Sequence, residues 1–296
     1  MINVTVVIPV HNDYYAIQQT LKSLKSQISE YSFEVVIVDN GSTDGTYEWL
    51  REQDGIILLQ ENIFKGSPYS ARNRGIEKAN GEIIALLDST CVPKTDFIQK
   101  GIKYFNKNRR CDMFGGNIIF DLQNNITAGK IYDSITNVQM GLSIELKNAT
   151  KTANLWVKME VFDKYGLFNE GVRSGEDLNW TKKMTGLGVK LLYNPLCIAS
   201  KYARGTKQLL KKQYRVGKGK AFIWRNEKIL SKMLLKSFRK IFPITPRGLK
   251  TILSRNSSYK ITLFMKTKIY FVSYFSGLST LFGIIVGSLR REKIDG

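Results

Sequence analysis

Cysteine is scarce in this chain. Cys91, Cys111 and Cys197 are the only three in 296 residues. They are odd in number and lack the spacing of a disulfide framework or a zinc site, so a disulfide-stapled scaffold is excluded and they read as reduced packing residues. Histidine is scarcer still, with His11 alone. The third shortage is local. Residues 201–296 hold only Glu227, Glu292 and Asp295 as acids against 23 Lys/Arg, whereas residues 1–200 balance 22 acids with 22 bases, so the whole formal charge of +20 lies in the last third. Such a segment faces something anionic: membrane headgroups, phosphorylated substrates or nucleic acid. The opening MINVTVVIPV has no basic segment, apolar core or small-residue cleavage site. The expectation is therefore no secretory signal and a cytoplasmic catalytic part.

What is present is a regular alternation of strand and helix patterns. Thr5–Val10 is a short apolar strand followed by His11, Asn12 and Asp13, and Ile17, Leu21, Leu24 and Ile28 then mark an amphipathic helix with Asp13 as N-cap. Glu34–Asp39 reads as a buried strand that delivers a carboxylate into a Gly/Ser/Thr/Asp turn. Asp39 is there either to bind a ligand at the strand end or to cap the next helix, which Thr43 or Asp44 would do equally well. A helix at Thr46–Glu52, a strand at Ile56–Leu59, a helix at Ser67–Ala79 and a strand at Ile83–Leu87 ending in Asp88 complete the pattern. A mostly parallel sheet covered on both faces is expected. Arg72 and Arg74 stand on the helix before the fourth strand, either as anion ligands or as a solvated face. Residues 112–160 carry weaker patterns: Met113–Phe120 is expected as a strand opening the second half, and Asn154–Phe162 should pack near the site. Gly175, Glu176 and Asp177 open a helix with Trp180, Met184 and Leu187 inward, and Lys190–Tyr193 is a strand stopping at Pro195.

VVIPVHN (6–12), VVIVDNGSTDGT (35–46), ARNRG (71–75), GEIIALLDS (81–89), TANLWVK (152–158), SGEDLNW (174–180) and YNP (193–195) together resemble glycosyltransferase family 2 in order and spacing over about residues 3–205. The resemblance implies an α/β GT-A fold: a Rossmann-like nucleotide-sugar half (about 1–115) and an acceptor half (116–205) around one mixed sheet. It also implies an inverting transfer from a nucleoside-diphosphate sugar, with UDP as the family default, to a hydroxyl of a glycan or lipid-linked acceptor. In such enzymes the residue matching Asp39 bonds the base, while those matching Pro9, Val10, His11 and Arg72 line the nucleotide pocket. Asp88 and Ser89 match the start of the Asp-X-Asp motif beside ribose and diphosphate. Asp177 matches the general base, with Glu176 beside it orienting the loop or bonding sugar hydroxyls. Trp156 and Trp180 are candidates either to stack on a sugar or to fill the core.

Two positions depart from the family pattern, and both concern the divalent metal, Mg²⁺ or Mn²⁺ by family default. The second acid of Asp-X-Asp is Thr90 here, and the position of a common histidine ligand is Lys201. Asp88 alone would be a weak metal site. Lys201 is either a fixed cation standing in for the metal at the diphosphate or simply the first charge of the basic tail. A degenerate enzyme that binds nucleotide sugar without turnover is the alternative function.

Residues 206–296 form the second expected region. Leu230, Met233, Leu234, Phe238, Ile241 and Phe242 fall on one face of a basic amphipathic helix. Ile269–Leu289 is free of charge, is long enough to cross a bilayer, and carries Gly283 and Gly287 at a helix-packing spacing. Lys266, Lys268, Arg290, Arg291 and Lys293 make both flanks positive. Attachment to an anionic membrane surface at its cytoplasmic face is expected, as a peripheral, re-entrant or spanning segment. A nucleic-acid-binding tail is the rival, opposed by the neutral, carboxylate-bearing first 200 residues.

Overall fold

The computed structural model describes residues 2–123, 125–226, 228–254 and 261–289. The strands are β1 (Val4–Val10), β2 (Phe33–Asp39), β3 (Ile57–Gln60), β4 (Ile83–Leu87), β5 (Cys91–Pro93), β6 (Met113–Asp121), β7 (Asn154–Lys158) and β8 (Leu191–Tyr202). The helices are α1 (Tyr14–Lys25), α2 (Thr46–Arg51), α3 (Pro68–Glu77), α4 (Phe97–Lys107), α5 (Ala128–Thr136), α6 (Met140–Lys147), α7 (Met159–Tyr165), α8 (Glu176–Gly186), α9 (Thr206–Asn226), α10 (Leu230–Ser237), α11 (Pro246–Leu253) and α12 (Leu263–Leu289).

The chain divides into two compact units, the first formed by residues up to Ile119 with Met140–Lys201, the second by Phe120–Gln139 with residues from Tyr202 onward. The charge pattern places a boundary near 205. It does not disclose that Phe120–Gln139 joins the second unit, because α5 is an ordinary short amphipathic helix whose partners lie far along the chain.

The sheet order is β3-β2-β1-β4-β7-β6-β8-β5. Strands β1 to β4 pair in parallel, with Val10 beside Asp39 and Asp39 beside Gln60, so the loops that follow them gather at one edge. β7 then runs antiparallel between β4 and β6, making the sheet mixed. All seven residues of β1 are buried, as expected of a strand covered on both faces. α3 lies against that face, and Gly75 is the reason it can: a Cβ there would meet Val7 Cγ1 at 2.4 Å.

Several local expectations are corrected. Ile28 is 73% exposed, because α1 ends at Lys25 and the apolar stripe outruns the helix. Asp13 makes no capping bond; its carboxylate accepts from the Ser89 hydroxyl, and Asp44 Oδ2 takes the Tyr14 N–H at 3.2 Å. Leu187 is 51% exposed, since α8 stops at Gly186 and the chain turns through Gly188 at φ 92°. β8 does not stop at Pro195 but runs through it: Pro195 is exposed, and the Leu196 N–H is satisfied by Asn194 Oδ1 at 3.1 Å. Proline is tolerated in a strand where its missing donor faces outward. All three cysteines are buried.

Both tryptophans are core residues, the second of the two roles open to them, and neither presents a face for a sugar. Trp156 has no exposed surface. Its ring stacks on Phe114 with centroids 5.4 Å apart, and Phe97 lies at 5.1 Å, while its Nε1–H donates to Asn154 Oδ1 at 3.1 Å. Trp180 is 2% exposed, stacked on Phe162 at 5.1 Å, with its N–H on the Gly166 carbonyl at 3.1 Å. Indole N–H groups find partners when buried, and here both do so inside the protein.

The second unit packs α5, α9 and α12 around Leu122, Ile131, Ile135, Leu209, Ile269 and Val272. α9 and α12 approach to backbone contact: a Cβ on Gly283 would meet the Tyr214 carbonyl oxygen at 2.1 Å, and one on Gly217 the Thr280 carbonyl oxygen at 2.2 Å. The Arg225 guanidinium donates to the Gly287 and Ser288 carbonyls at 3.0 and 2.9 Å, closing the end of α12. α12 is one helix long and apolar enough to cross a membrane, and Phe271, Phe275, Phe282 and Leu289 on it are exposed. The expected basic helix is divided into α9, α10 and a 3-10 turn at Phe238–Ile241; Phe238, Ile241 and Phe242 are exposed. The basic flank at Arg290, Arg291 and Lys293 lies outside the described residues.

Gly101 on α4 faces the Trp156 ring so closely that an added Cβ would lie 2.1 Å from it. Overpacking a filled core costs about 1–3 kcal/mol, so Gly101→Ala should lower stability by that amount in chemical denaturation.

Candidate active site

The site-forming residues of the first unit begin with two interlocked loops at the ends of β1 and β2. Asn12, in the left-handed region at φ 52°, accepts the Thr43 N–H on Oδ1 at 2.7 Å, and its own N–H donates to Ser42 Oγ at 3.0 Å. Gly45 is the N-cap of α2, and Asp44 just before it accepts the Thr46 N–H at 3.1 Å, so Asp39 has no part in starting that helix. Asp39 instead accepts from the Gly41 and Ser42 N–H groups on Oδ2, each at 3.1 Å. Its other oxygen, Oδ1, is buried with no hydrogen-bond partner, and the residue is 1% exposed. A buried acceptor left unmade costs about 1–3 kcal/mol.

Around Asp39 the supports are backbone and amide groups. The Asn40 N–H donates to the Val10 carbonyl at 2.8 Å, and Asn40 Oδ1 takes the Gly66 N–H at 2.9 Å. The His11 ring is exposed, with Nδ1 3.0 Å from the Asn40 carbonyl oxygen. Pro9 and Val10 are buried within β1, so their part in a pocket is through the backbone and the loop they launch.

Sequence reasoning missed Glu61, which is 2% exposed and accepts the Ile63 and Phe64 N–H groups on Oε1 at 2.7 and 2.9 Å. It shapes the loop after β3. A glutamate just past a strand carries no motif, and only its burial reveals the role.

The carboxylate that follows β4 is gripped from two sides. Arg72 Nη2 lies 2.9 Å from Asp88 Oδ1 and Lys201 Nζ 3.0 Å from Oδ2. Asp88 keeps 31% of its side chain exposed while both cations are nearly buried, at 4% and 3%. Arg72 is also held by the Pro68 carbonyl at 3.1 Å and lies over the Tyr69 ring at 5.5 Å. Lys201 comes from β8, directly opposite Cys91 in the β5–β8 ladder, with its Nζ 3.8 Å from Cys91 Sγ. It is part of the Asp88 cluster and no surface charge of the tail. Ser89 is 5% exposed, and its hydroxyl is committed to Asp13. Thr90 is half-buried.

Helix α3 ties this cluster to the loop bearing Asp177. Asn73 Nδ2 donates to the Phe168 carbonyl at 2.9 Å and Oδ1 accepts its N–H at 3.1 Å. Ser67 Oγ donates to the Val172 carbonyl at 2.7 Å, Ser70 Oγ accepts the Gly171 N–H at 3.0 Å, and the Tyr69 hydroxyl accepts the Gly175 N–H at 3.1 Å. The Tyr69 phenol is pushed well above its ordinary range by burial, and the Asp177 charge adds to this. Tyr69 and Asn73 sit inside or beside the ARNRG motif, but nothing in their spacing announces a loop a hundred residues away.

Gly175, at φ 96°, turns the chain into α8. Asp177 is partly exposed in its first turn, its Oδ1 accepting the Leu178 N–H at 2.9 Å. Glu176 points the other way and is 1% exposed. It accepts from Asn169 N–H and Nδ2 at 3.2 and 2.7 Å and from Asn179 Nδ2 at 3.0 Å. Burial raises its carboxyl above the usual range, against the pull of those donors. Of the two roles open to Glu176, the one these bonds serve is holding the loop.

A divalent cation fits these residues poorly. Hard cations take several anionic or neutral oxygens, whereas Asp88 is already bonded to Arg72 and Lys201, Thr90 offers only a neutral hydroxyl and Lys201 a cation. Among the described residues no three His, Cys, Asp or Glu side chains gather as a metal site.

The first unit thus combines an α/β sheet, a strand-end carboxylate, Asp88, bonded to the Arg72 guanidinium, and a partly exposed carboxylate, Asp177, at a helix start. The Glycosyl transferase family 2 pattern matches residues 5–166, and the chain belongs to that family. It is 36% identical to glycosyltransferase AglE of Haloferax volcanii over 98% of this chain and 97% of that one. The mannosyltransferase PcManGT of Pyrobaculum calidifontis, solved with GDP-Man and Mn²⁺, shares the fold with TM-score 0.59 and 17% identity over 98% of this chain and 88% of its own. TarS of S. aureus, residues 1–349 with UDP-GlcNAc, gives TM-score 0.54 and 16% identity over 74% and 66%.

Asn73→Ala removes both bonds to Phe168. Amide exchange at Phe168 and Gly171 should then accelerate about tenfold or more, corresponding to ~1–3 kcal/mol of lost local stability, while amides in β1 and β2 keep their protection.

Proposed function

We propose that this protein is an inverting glycosyltransferase that moves a hexosyl group from a nucleoside-diphosphate sugar, UDP-linked by family default, to a hydroxyl of a glycan or lipid-linked acceptor. The observation that carries the reading is the unpartnered buried oxygen of Asp39 at the end of β2. A nucleobase N–H answers it, and the positive groups around Asp88 lie on the way to a diphosphate. Nucleotide sugars are also what the solved neighbours hold, UDP-GlcNAc in TarS and GDP-Man in PcManGT.

Asp177 then acts as the general base. Its carboxylate takes the acceptor hydroxyl proton as that oxygen attacks the anomeric carbon from the face opposite the diphosphate. The new carbon–oxygen bond forms as the bond to the diphosphate breaks, and the nucleoside diphosphate leaves with the bonding pair. No enzyme-bound sugar is needed, so a single base suffices. Glu176, turned inward, keeps Asp177 in place.

Asp177→Asn should lower turnover about 10³-fold, within the range for loss of a general base, while leaving nucleotide-sugar affinity within about twofold. Asp39→Ala should show the opposite split, weakening donor binding with the fold intact. Undiminished transfer by Asp177→Asn in a donor and acceptor panel overturns the assignment.

We also infer attachment to the cytoplasmic face of a membrane through the second unit. Exposed Phe271, Phe275, Phe282 and Leu289 on α12, with Phe238, Ile241 and Phe242, form apolar surface within a strongly basic segment, the pairing that anionic bilayers bind. Vesicles containing anionic lipid should carry the full chain upward in flotation, and a Phe275→Glu, Phe282→Glu double variant should remain behind.

A further inference from the structure

We propose that Lys201 performs the task of the divalent metal, so that transfer by this protein is metal-independent; the inference rests on the transferase reading above. The structure supplies the reason in the charge count of one cluster. Asp88, Arg72 and Lys201 sum to one positive charge, with both carboxylate oxygens engaged at 2.9 and 3.0 Å. A dication entering there would meet two cations already bonded to the Asp88 carboxylate. A diphosphate meets the reverse: two cationic side chains already oriented and nearly buried.

Lys201 is held for this role by more than one contact. Its backbone is fixed in the β5–β8 ladder opposite Cys91, and the Cys91 N–H closes the turn on the Asp88 carbonyl at 2.9 Å. The stem is buried, and the ammonium lies on Asp88 Oδ2 and beside Cys91 Sγ. An ammonium positioned in advance stabilises charge as it develops on the leaving diphosphate without reorganising at the moment of reaction. Asp88 has a different task from a metal-binding aspartate: it orients two cations. Lys201 is a catalytic residue on this account, because it touches the departing phosphate oxygens.

The test uses the full chain purified in detergent, with UDP, GDP and their monophosphates as probes in calorimetry, and transfer assayed in parallel. Wild-type affinity for whichever diphosphate binds should be the same within about twofold in EDTA and in Mn²⁺, and turnover should persist in EDTA. Lys201→Met keeps the apolar stem and removes the charge. It should weaken diphosphate binding and lower turnover, each about 10²-fold, the loss seen when one preorganised donor to a developing anion is removed, and weaken monophosphate binding much less. Its thermal transition reports whether the fold is kept, and Lys201→Arg should restore part of the diphosphate affinity if the charge is what matters. Wild-type binding or turnover that disappears in EDTA and returns with Mn²⁺ overturns the inference and leaves the transferase reading standing. Wild-type-like behaviour of a folded Lys201→Met does the same. Binding of no diphosphate under any condition overturns both.

Discussion

Asp88 is one carboxylate shared between two cations, and the arrangement of the first unit depends on that sharing. Arg72 arrives from α3, Lys201 from β8 and Asp88 from the end of β4, so three elements distant in sequence meet at a single pair of oxygens. Removing one partner from a mostly buried ion pair leaves a charge without compensation, commonly a loss of about 3–5 kcal/mol. The same helix that delivers Arg72 grips the 168–175 loop through Ser67, Ser70 and Asn73. A shift of α3 would therefore be felt at both carboxylates, Asp88 and Asp177, together.

The parallel half of the sheet was legible because its strands are buried on both faces and end in chemistry. Val35–Val38 and Ile83–Leu87 are uninterrupted apolar runs that stop at Asp39 and Asp88, and turn residues follow each. The antiparallel insertion of β7 between β4 and β6 was not legible. Strand order is set by long-range pairing, which leaves no mark on local composition. The two tryptophans illustrate the same limit: aromatic residues inside these motifs read alike whether they face a sugar or the core, and for Trp156 it is Gly101, Phe97 and Phe114 around the ring that decide it. Asp39 was open between capping and binding. Asp44 takes the Thr46 N–H at the start of α2, and the residual unpartnered oxygen on Asp39 is a feature of three-dimensional burial alone.

The close seam between α9 and α12 bears on the membrane attachment proposed above. Tyr214 carbonyl against Gly283 and Thr280 carbonyl against Gly217 leave no room for an acyl chain between the helices, and contacts climb both in the same direction, from Leu210 with Ser279 to Arg225 with Ser288. The two helices are one ribbon. α9 brings Lys211, Lys212, Arg215, Lys218 and Lys220 along with every residue of α12, and each basic side chain at mid-bilayer costs about 2.5–3.5 kcal/mol on insertion scales. On the membrane attachment proposed above, such a ribbon would float at a boundary, with α12 sinking only as deep as the basic side chains of α9 allow.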